Sequence, residues 1–453
     1  MRPALRTIGR ARRPIIGVLL LALAFAFAPT ARSQAPPSVP GPTLPTLPGL
    51  PTVPGPTLPG LPPSGLPLCA WLVDVSAQTL NIAAPDTHTH YWVQPYRWGP
   101  QSSIVINGTY PFARYFSFVT YTANGLPTGA SLHDSQILPD AGSVNPFTTP
   151  TAPTDPAQRR YTVRVVPPPA TATNTLPGLP ADQTTGLGFL VYRLYLSSTG
   201  DPRGGVPLPS LTVDGVPRRT CTAAEQAVYD KVLAPLFSTL VAANSPDPAM
   251  VVRDPALFRR APALGGLFPN PDNQYVFAAS DWAPGRVVVV RGKGFTFPDT
   301  RHGGSVTTPT QLRYWSWCSN ELANPYPAVQ CAADDEIVLD AQGYYTIAIS
   351  MPQDRPSNAT AADGVTWLAW QRAATAQSSA QVVPNVAYLR TMLPAPGFTQ
   401  AAQGVPEPAA GSSAQQLASE AARAMGPYYP VGVYCTTAQF EAQGPQSCFP
   451  AAP

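Results

Sequence analysis

Five short elements occur twice in this sequence in the same order, and this internal repeat constrains the fold more than any other feature. The clearest pair is Arg114-Tyr115-Phe116-Ser117-Phe118 and Arg313-Tyr314-Trp315-Ser316-Trp317. On a strand, the arginine and the two outer aromatic residues share one face, and the tyrosine and serine share the other. The other repeated elements are 104–108 and 288–292, 138–142 and 339–343, 161–165 and 344–349, and 190–193 and 388–390. The sequence therefore predicts two copies of one β module.

The composition supports two folded cores and argues against nucleic-acid binding. Of the 453 residues, 44% are hydrophobic and 12% are charged, which is low beside the roughly 25% of an average globular protein. The formal net charge of +3 is misleading, because residues 1–33 contain six arginines and no acidic residue. Without that segment the net charge is −3, so the chain offers no electrostatic basis for binding nucleic acid.

Residues 1–33 have the pattern of a secretory signal peptide. An arginine-rich start is followed by an apolar run from Ile15 to Ala28 and by Ala31-Arg32-Ser33, a small-residue cleavage pattern. The apolar run is shorter than the ~18–20 residues that a membrane span needs. We expect Sec-type export, cleavage after Ser33, and a secreted, periplasmic or cell-envelope protein that is not an integral membrane protein. An uncleaved anchor and twin-arginine export, which Arg12-Arg13 would favour, are the alternatives.

Residues 34–67 are rich in proline and contain a shorter repeat of their own. Val39-Pro-Gly-Pro-Thr-Leu-Pro45 returns as Val53-Pro-Gly-Pro-Thr-Leu-Pro59. Frequent proline fixes φ and removes hydrogen-bond donors, which favours solvated polyproline II over a packed core. The tract predicts either a spacer in the cell envelope or a disordered linker.

The rest of the chain divides into four predicted parts. They are a first β module (68–221), a connecting helix (222–249), a second β module (250–404) and a C-terminal helix with a cysteine-containing tail (405–453). Thr222-Ala-Ala-Glu225 is a capping box that predicts the start of a helix reaching about residue 242. We expect this helix to lie between the modules on an apolar stripe of Val228, Val232, Leu233, Leu236 and Leu240.

Local signals predict further details inside these parts. Asn107-Gly108 favours a two-residue hairpin turn, because both central positions of such a turn need positive φ. Hydrophobic runs predict short strands at 80–82 and 336–340. A tail helix is predicted from Ser413 to Met425, ended by Gly426 and Pro427.

Segments of the first module resemble a known protein family. They are Asn174-Thr-Leu176-Pro177, then Phe189-Leu-Val-Tyr-Arg193-Leu-Tyr195, with Gly205 and Pro207 following. This order resembles the domain-of-unknown-function family 1214, which is usually joined to family 1254 in exported bacterial proteins. The second copy departs from this pattern in two places. Asn358-Ala-Thr lacks the Leu-Pro that ends the first segment, and Thr391-Met392 stands where the first copy has Leu194-Tyr195. The resemblance implies a jelly-roll-like β-sandwich and an envelope address, but no settled activity, substrate or catalytic residue.

The expected fold class is therefore mainly β. It consists of two tandem jelly-roll-like β-sandwich modules joined by an α-helix, with a short helical, disulfide-bonded C-terminal tail. The even number of six cysteines in an exported chain predicts disulfides. We predict the pairs Cys69–Cys221, Cys318–Cys331 and Cys435–Cys448, since the first brackets module one, the second flanks one short loop, and the third brackets the tail.

Four arginines occupy equivalent places in the two modules: Arg114, Arg193, Arg313 and Arg390. An arginine within a buried aromatic strand needs a carboxylate, carbonyl oxygens or a stacked ring. Two interpretations follow. The arginines form structural pairs, with Asp86 or Asp272 as partners, or they bind the carboxylate or phosphate of a ligand.

Other candidate chemistry is sparse. His88 and His90 would share a face of a strand, as metal-binding histidines do in cupin-type sites, but the nearby acidic ligand of such a site is missing. Asp86 and Asp134 are a candidate acid–base pair of a glycosidase-like site. No G-x-S-x-G, H-E-x-x-H, P-loop or dinucleotide-binding motif occurs. We expect no metal and no cofactor.

Aromatic residues are dense between Tyr91 and Trp98, where four rings fall within eight residues. Loop aromatics on sandwich folds bind sugars by stacking. We predict that a groove for a carbohydrate- or lipid-like ligand is lined by Trp92, Tyr96, Arg97 and Trp98, with Tyr115 and Ser117 as its floor. The alternative is that these rings close the end of the sandwich.

Two classes of function remain open from the sequence. The first is an exported, non-catalytic binding or structural protein whose partner is an envelope glycan or lipid. The second is a secreted hydrolase or lyase that acts on a polysaccharide or another polymer.

Overall fold

A computed structural model describes residues 69–261, 268–372 and 382–450. The predicted signal peptide (1–33), the whole proline-rich tract (34–67) and residue 68 lie outside the described residues. Below, residues 69–221 are called the first half and residues 250–450 the second half.

Strands dominate both halves, which confirms a mainly β protein. The first half contains β1 (Cys69–Ala70), β2 (Val73–Val75), β3 (Thr89–Trp98), β4 (Ile104–Thr109), β5 (Ala113–Thr122), β6 (Leu132–His133), β7 (Arg160–Val166), β8 (Thr175–Pro177), β9 (Gly186–Ser197), β10 (Ser210–Val213) and β11 (Val216–Thr220). Helix α1 (Ala223–Asn244) joins it to the second half. The second half contains β12 (Arg259–Arg260), β13 (Asn273–Ser280), β14 (Arg286–Lys293), β15 (Leu312–Glu321), β16 (Ala328–Ala333), β17 (Tyr344–Ser350), β18 (Thr366–Ala369), β19 (Asn385–Pro394), α2 (Ala414–Met425), β20 (Val431–Thr436) and α3 (Thr437–Gln443).

Each half contains an inner sheet, which packs toward the other half, and an outer sheet. The inner sheets have the orders β2-β3-β9-β5-β6 and β12-β13-β19-β15-β16. The outer sheets have the orders β1-β11-β10-β4-β7-β8 and β18-β17-β14-β20. The strand order β3-β9-β5-β6 in the first half therefore matches β13-β19-β15-β16 in the second, and β10-β4-β7-β8 matches β20-β14-β17-β18.

The predicted alternation of the repeated strands is present in β5 and β15. Phe116 and Phe118 enter a core between the two sheets of the first half, and Trp315 and Trp317 enter the equivalent core of the second half. Each half is thus a sandwich-like pair of sheets. On the opposite face, the tyrosines of the two strands contribute to a cluster that both halves share.

Helix α1 begins as predicted, and its predicted apolar stripe packs between the halves only in part. Thr222 and Glu225 form the capping box. However, Val228 and Val232 are 40% and 48% exposed. The buried side chains are Phe237, Leu240 and Val241, which join a cluster containing residues of both inner sheets. Leu233 and Leu236 are partly buried against the same cluster, so Leu233, Leu236 and Leu240 of the predicted stripe pack between the halves, whereas Val228 and Val232 do not.

The predicted hairpin at Asn107-Gly108 is wrong. Both residues lie inside β4, and Gly108 is paired with Tyr161 of β7. A Cβ on Gly108 would lie 2.3 Å from the Tyr161 ring, so the glycine provides space for this ring. The same arrangement recurs in the second half, where Gly292 of β14 makes room for Tyr345.

Two predicted short strands do not form. Residues 80–82 are irregular because Asn81 bonds through its side chain to the backbone N–H and C=O of Ala328 in the second half. Residues 336–340 are irregular, with one isolated bridge at Leu339. The strand next to β15 is β16 instead, which the sequence did not predict.

The C-terminal tail is part of the second half rather than an appendage. Helix α2 is capped by Ser413 and ends at Met425, as predicted. Beyond it, β20 pairs with β14 and completes the outer sheet. The three predicted disulfides, Cys69–Cys221, Cys318–Cys331 and Cys435–Cys448, are present. In the described part of the chain, no helix combines the length and apolar character that crossing a bilayer requires.

Candidate ligand-binding site

Two buried ion pairs connect the halves in a reciprocal way. Arg114 of β5 donates to Asp334 (Nη1–Oδ2 2.6 Å), and Arg313 of β15 donates to Asp134 (Nη1–Oδ1 3.2 Å). Each aspartate also accepts a backbone N–H from the repeated strand of its own half. Arg114 and Arg313 are therefore structural, as one interpretation held, but their partners are not Asp86 or Asp272.

Asp86, which precedes β3, reaches into the inner sheet of the second half. Its carboxylate accepts hydrogen bonds from Tyr314 (2.8 Å) and Ser316 (2.7 Å) and forms an ion pair with Arg390. Burial by itself raises the pKa of Asp86, but the Arg390 guanidinium and the bonds from His88 hold this pKa below its ordinary value. The carboxylate is therefore charged and neutralises Arg390.

Arg193 of β9 occupies in the first half the register position that Arg390 of β19 occupies in the second half. Each of these two arginines lies opposite a tyrosine and a serine; the neighbours are Tyr91 and Ser117 for Arg193, and Tyr275 and Ser316 for Arg390. The two positions are thus surrounded by the same residue types at the same places.

The residue that corresponds to Asp86 is uncharged. Asp86 lies five residues before Tyr91, and Asn270 lies five residues before Tyr275. Both side chains make the same turn, because Asp86 accepts from the N–H of His88 (2.9 Å) and Asn270 accepts from the N–H two residues on (3.2 Å). One half thus has a carboxylate at this position, which pairs with Arg390, and the other half has a neutral amide, which contacts the Tyr115 hydroxyl.

Arg193 consequently has no carboxylate partner within the described residues. Its Nη2 donates to the Tyr121 hydroxyl (2.6 Å) and to the Phe268 carbonyl (2.7 Å). Its Nη1 and the Ser117 hydroxyl are buried and make no hydrogen bond there. Arg193 is only 2% exposed, and a guanidinium does not lose its proton. The rings of Tyr91 and Tyr121, 5.6 and 5.3 Å away, offset part of the cost of this buried charge.

Asp272, the other predicted arginine partner, binds elsewhere. Its two oxygens accept hydrogen bonds from Tyr115 (2.5 Å) and Ser131 (2.6 Å). Burial, and after it the Asp272 carboxylate, hold the pKa of Tyr115 well above its ordinary value. Asp272 therefore links the halves through a tyrosine, as Asp86 does, without contacting an arginine.

A cavity of about 240 Å³ lies between the halves, with Arg193 and Arg390 both in its wall. The rest of the wall is mostly aliphatic and aromatic; it includes Val93, Val191, Phe237, Phe268, Phe277 and Val386. Tyrosines add hydroxyl groups, and those of Tyr91 and Tyr195 lie 3.2 Å apart. No Asp, Glu or His is among the described residues that line it. The cavity combines apolar walls with a cationic group that lacks a counterion, as ligand pockets commonly do.

The aromatic groove that the sequence predicts is absent, because its rings are core residues. Trp92, Tyr96, Trp98, Tyr115 and Ser117 are all buried, and Arg97 alone is exposed.

The physical reason is that β3 pairs with strands on both sides and runs as far as Trp98. Trp98 packs on Gly178, where a Cβ would lie 2.3 Å from its ring. The Tyr96 hydroxyl donates to the Gly178 carbonyl (2.6 Å). Of the six predicted ligand residues, only Ser117 lies beside Arg193.

The two histidines and the two predicted acids do not form joint sites. His88 contacts Asp86 (3.2 Å) and Glu336 (2.9 Å), whereas His90 contacts Asp74 (3.1 Å). Burial lowers the pKa of His88, but its two carboxylate partners outweigh this and raise it to about 9. Asp86 and Asp134 belong to separate ion pairs with Arg390 and Arg313.

The sequence indicates Arg193 and Ser117 as separate candidate residues, but it does not by itself show that they are neighbours in the inner sheet. The repeat would have done so, since each inner sheet carries a serine on β5 or β15 opposite an arginine on β9 or β19. The sequence did not show that Tyr195, Tyr326 and Tyr388 line one cavity, although Tyr195 lies in the family-like segment and Tyr388 in the repeated segment 388–390.

Comparisons with known proteins add no function. No family model and no curated protein matches the chain. Among solved structures, an uncharacterized protein from Burkholderia cenocepacia aligns over 82% of this chain and 82% of its own, at 14% identity and a TM-score of 0.45. A protein from Vibrio parahaemolyticus aligns over 68% of this chain and 84% of its own, at 11% identity and a TM-score of 0.32.

Proposed function

We propose that this protein is exported and binds an amphipathic, lipid-like carboxylate in the cavity between the halves, as a binding protein without catalysis. One observation carries the proposal. Ser316 and Arg390 hold the carboxylate of Asp86. The equivalent donors in the first half, the Ser117 hydroxyl and the Arg193 Nη1, make no hydrogen bond in the described structure. A ligand carboxylate at Arg193 takes the part that Asp86 plays in the other half.

The cavity wall favours a lipid-like ligand over a glycan. A sugar needs many hydrogen-bond partners, whereas most of this wall is aliphatic or aromatic. Each methylene group buried there contributes about 0.8 kcal/mol. A cavity of about 150 Å³ already binds a benzene-sized molecule, so this one has room for part of an acyl chain. No observation favours the alternative of a hydrolase or lyase, because the described wall offers no carboxylate or imidazole for acid–base chemistry.

Export is supported by the three disulfides, since such bonds persist in oxidising compartments such as the periplasm. The signal-peptide pattern of residues 1–33 agrees with this address. The matching strand orders of the two halves support a tandem duplication of a jelly-roll-like module. Membership of family 1214 is part of the same proposal.

Binding of palmitate to the mature chain tests the proposed function. The protein is produced in a bacterial periplasm, stripped of lipid, and titrated with palmitate by isothermal calorimetry. Native mass spectrometry of the unstripped protein shows whether an acidic lipid is carried through purification. Arg193→Met keeps the length of the side chain and removes its charge. A charge-assisted hydrogen bond contributes roughly 1.5–3 kcal/mol, so palmitate affinity should fall by about tenfold to a hundredfold.

Arg159→Met is the matched control. Arg159 is also buried and also lacks a described carboxylate partner, but it stacks on Phe112 and lies outside the cavity wall. Its variant should bind palmitate as the wild type does. The proposed function is wrong if palmitate does not bind, or if Arg193→Met binds it as tightly as Arg159→Met does.

A further inference from the structure

We propose that Asp299, His302 and Asp335 form a site for a divalent transition-metal ion on the second half. One ligand atom from each side chain lies within 4.8 Å of the other two. The site is remote in sequence from the residues proposed to bind a lipid-like carboxylate, and the inference does not depend on that function.

The observation that points to an ion is the state of the Asp335 carboxylate. The side chain is only 2% exposed, and neither of its oxygens accepts a hydrogen bond in the described structure. The nearest cation is Arg301, whose Nε lies 3.5 Å from Oδ2, but this guanidinium donates to Glu336 instead (2.8 Å). A buried carboxylate without hydrogen bonds is costly, and a bound cation removes that cost.

Local structure holds the other two ligands beside it. Residues 299–302 form a tight turn, in which the N–H groups of His302 and Gly304 both donate to the Asp299 carbonyl. Gly304 is needed there, because a Cβ would lie 2.6 Å from that carbonyl oxygen. Within the turn, Thr300 accepts a hydrogen bond from Arg114 of the first half (2.9 Å). The His302 Nδ1 lies 2.8 and 2.9 Å from the two Asp299 oxygens, so both groups already face one point.

The ligand set selects the class of ion. Two carboxylates and one imidazole nitrogen suit zinc or manganese, whereas calcium and magnesium prefer oxygen ligands throughout. His302 and Asp299 have side chains that are 68% and 43% exposed, so water completes the coordination on the outer side. The ion would join the loop before β15 to the turn after β16.

Zinc titration of the mature, untagged chain tests this site. After treatment with EDTA and its removal, isothermal calorimetry should show one zinc ion bound per chain, and zinc should raise the Tm. Asp335→Asn and His302→Gln should each weaken zinc binding by about tenfold or more. His90→Gln is the control, because His90 also pairs with a carboxylate, Asp74, but has no buried third ligand.

A second readout separates a ligand from a merely structural aspartate. In EDTA, Asp335→Asn should have a Tm at least as high as that of the wild type, because it removes a buried charge that accepts no hydrogen bond and is opposed only by the Arg301 Nε at 3.5 Å. In zinc, only the wild type and His90→Gln should gain stability. The proposal is overturned if the wild type binds no zinc, if all variants bind it equally, or if Asp335→Asn lowers the Tm in EDTA.

Discussion

Arg193 and Arg390 occupy the same register position in the two inner sheets, but among the described residues only Arg390 has a carboxylate beside it. That carboxylate belongs to Asp86 of the opposite half, and its counterpart, Asn270, has no charge. The same arrangement of residues therefore contains an ion pair at Arg390, whereas at Arg193 the Nη1 and the Ser117 hydroxyl make no hydrogen bond in the described structure. This difference is what distinguishes a structural site from a candidate binding site.

Asp86→Asn should destabilise the protein strongly. The substitution leaves Arg390 buried and charged without a counterion, which typically costs about 3–5 kcal/mol. The measurement is the free energy of unfolding from urea denaturation. Asp272→Asn is the comparison, since Asp272 bonds to two hydroxyl groups and to no arginine. It should cost only about 1–3 kcal/mol, and equal losses for the two variants would contradict the assigned roles.

The repeated arginines could be predicted from the sequence, and so could their need for partners. One partner, Asp86, is among the two acids proposed from the sequence, and its pairing with Arg390 confirms that proposal. Asp134 and Asp334 could not be predicted as partners, because each comes from the other half and lies far away along the chain. Asp86 and Arg390 are 304 residues apart, and Arg114 and Asp334 are 220 apart. A repeat shows which positions are equivalent, but not which surfaces of the two copies meet. The difference between Asp86 and Asn270 can be interpreted only when it is known that the two inner sheets face each other.

The disulfides should differ in their contribution to stability. Cys69–Cys221 closes a loop of 152 residues, whereas Cys435–Cys448 closes one of 13. If cross-links act mainly by restricting the unfolded chain, the longer loop stabilises more, by about 2 kcal/mol. Replacing each pair by alanines and measuring urea unfolding compares them. A greater loss from the Cys435–Cys448 replacement would show that local packing in the tail outweighs chain entropy.

His88 should make stability fall as the pH rises. Its folded-state pKa of about 9 lies above the ordinary 6.5, because the Asp86 and Glu336 carboxylates face it. Protonated His88 therefore stabilises the fold fully below about pH 6.5, and this contribution disappears as the pH approaches 9. The loss is at most roughly 3 kcal/mol. Arg390 and Arg301, which bind the same two carboxylates, stay charged throughout this range.

Urea unfolding at several values between pH 6 and pH 9.5 measures this dependence. His88→Gln keeps a hydrogen-bonding side chain and removes the titration, so its stability should change much less over the same range. A wild-type profile that is flat, or that rises with pH, would contradict the protonated state of His88.

Trp98→Ala should destabilise the first half without changing ligand affinity. Trp98 fills the space left by Gly178, and removal of a buried tryptophan costs about 3–5 kcal/mol. Neighbouring Arg97 is exposed, so Arg97→Ala should change stability by less than about 0.5 kcal/mol. Unfolding free energies and palmitate titrations of both variants check this. Loss of palmitate binding by a folded Trp98→Ala protein would restore the aromatic groove as the site.

The burial of these rings also shows where sequence reasoning ends. A run such as Tyr91 to Trp98 has the same composition whether it lies on an exposed loop or inside a sheet. The burial of the rings is decided by the pairing of β3 with β2 and β9. It also depends on the space that Gly178 leaves for Trp98 and Gly188 leaves for Tyr96. Neither glycine is adjacent in sequence to the ring that it accommodates.

Asn270→Asp should weaken the binding of a carboxylate ligand while sparing a neutral one. The new carboxylate stands where Asp86 stands in the other half, so it competes for Arg193 and repels an anionic head group. Palmitate affinity should fall by about tenfold or more, which corresponds to about 1.4 kcal/mol. Hexadecanol, which has the same chain and no charge, should bind the variant and the wild type equally. If both ligands lose affinity to the same extent, Asn270 shapes the cavity and does not leave Arg193 available for an anion.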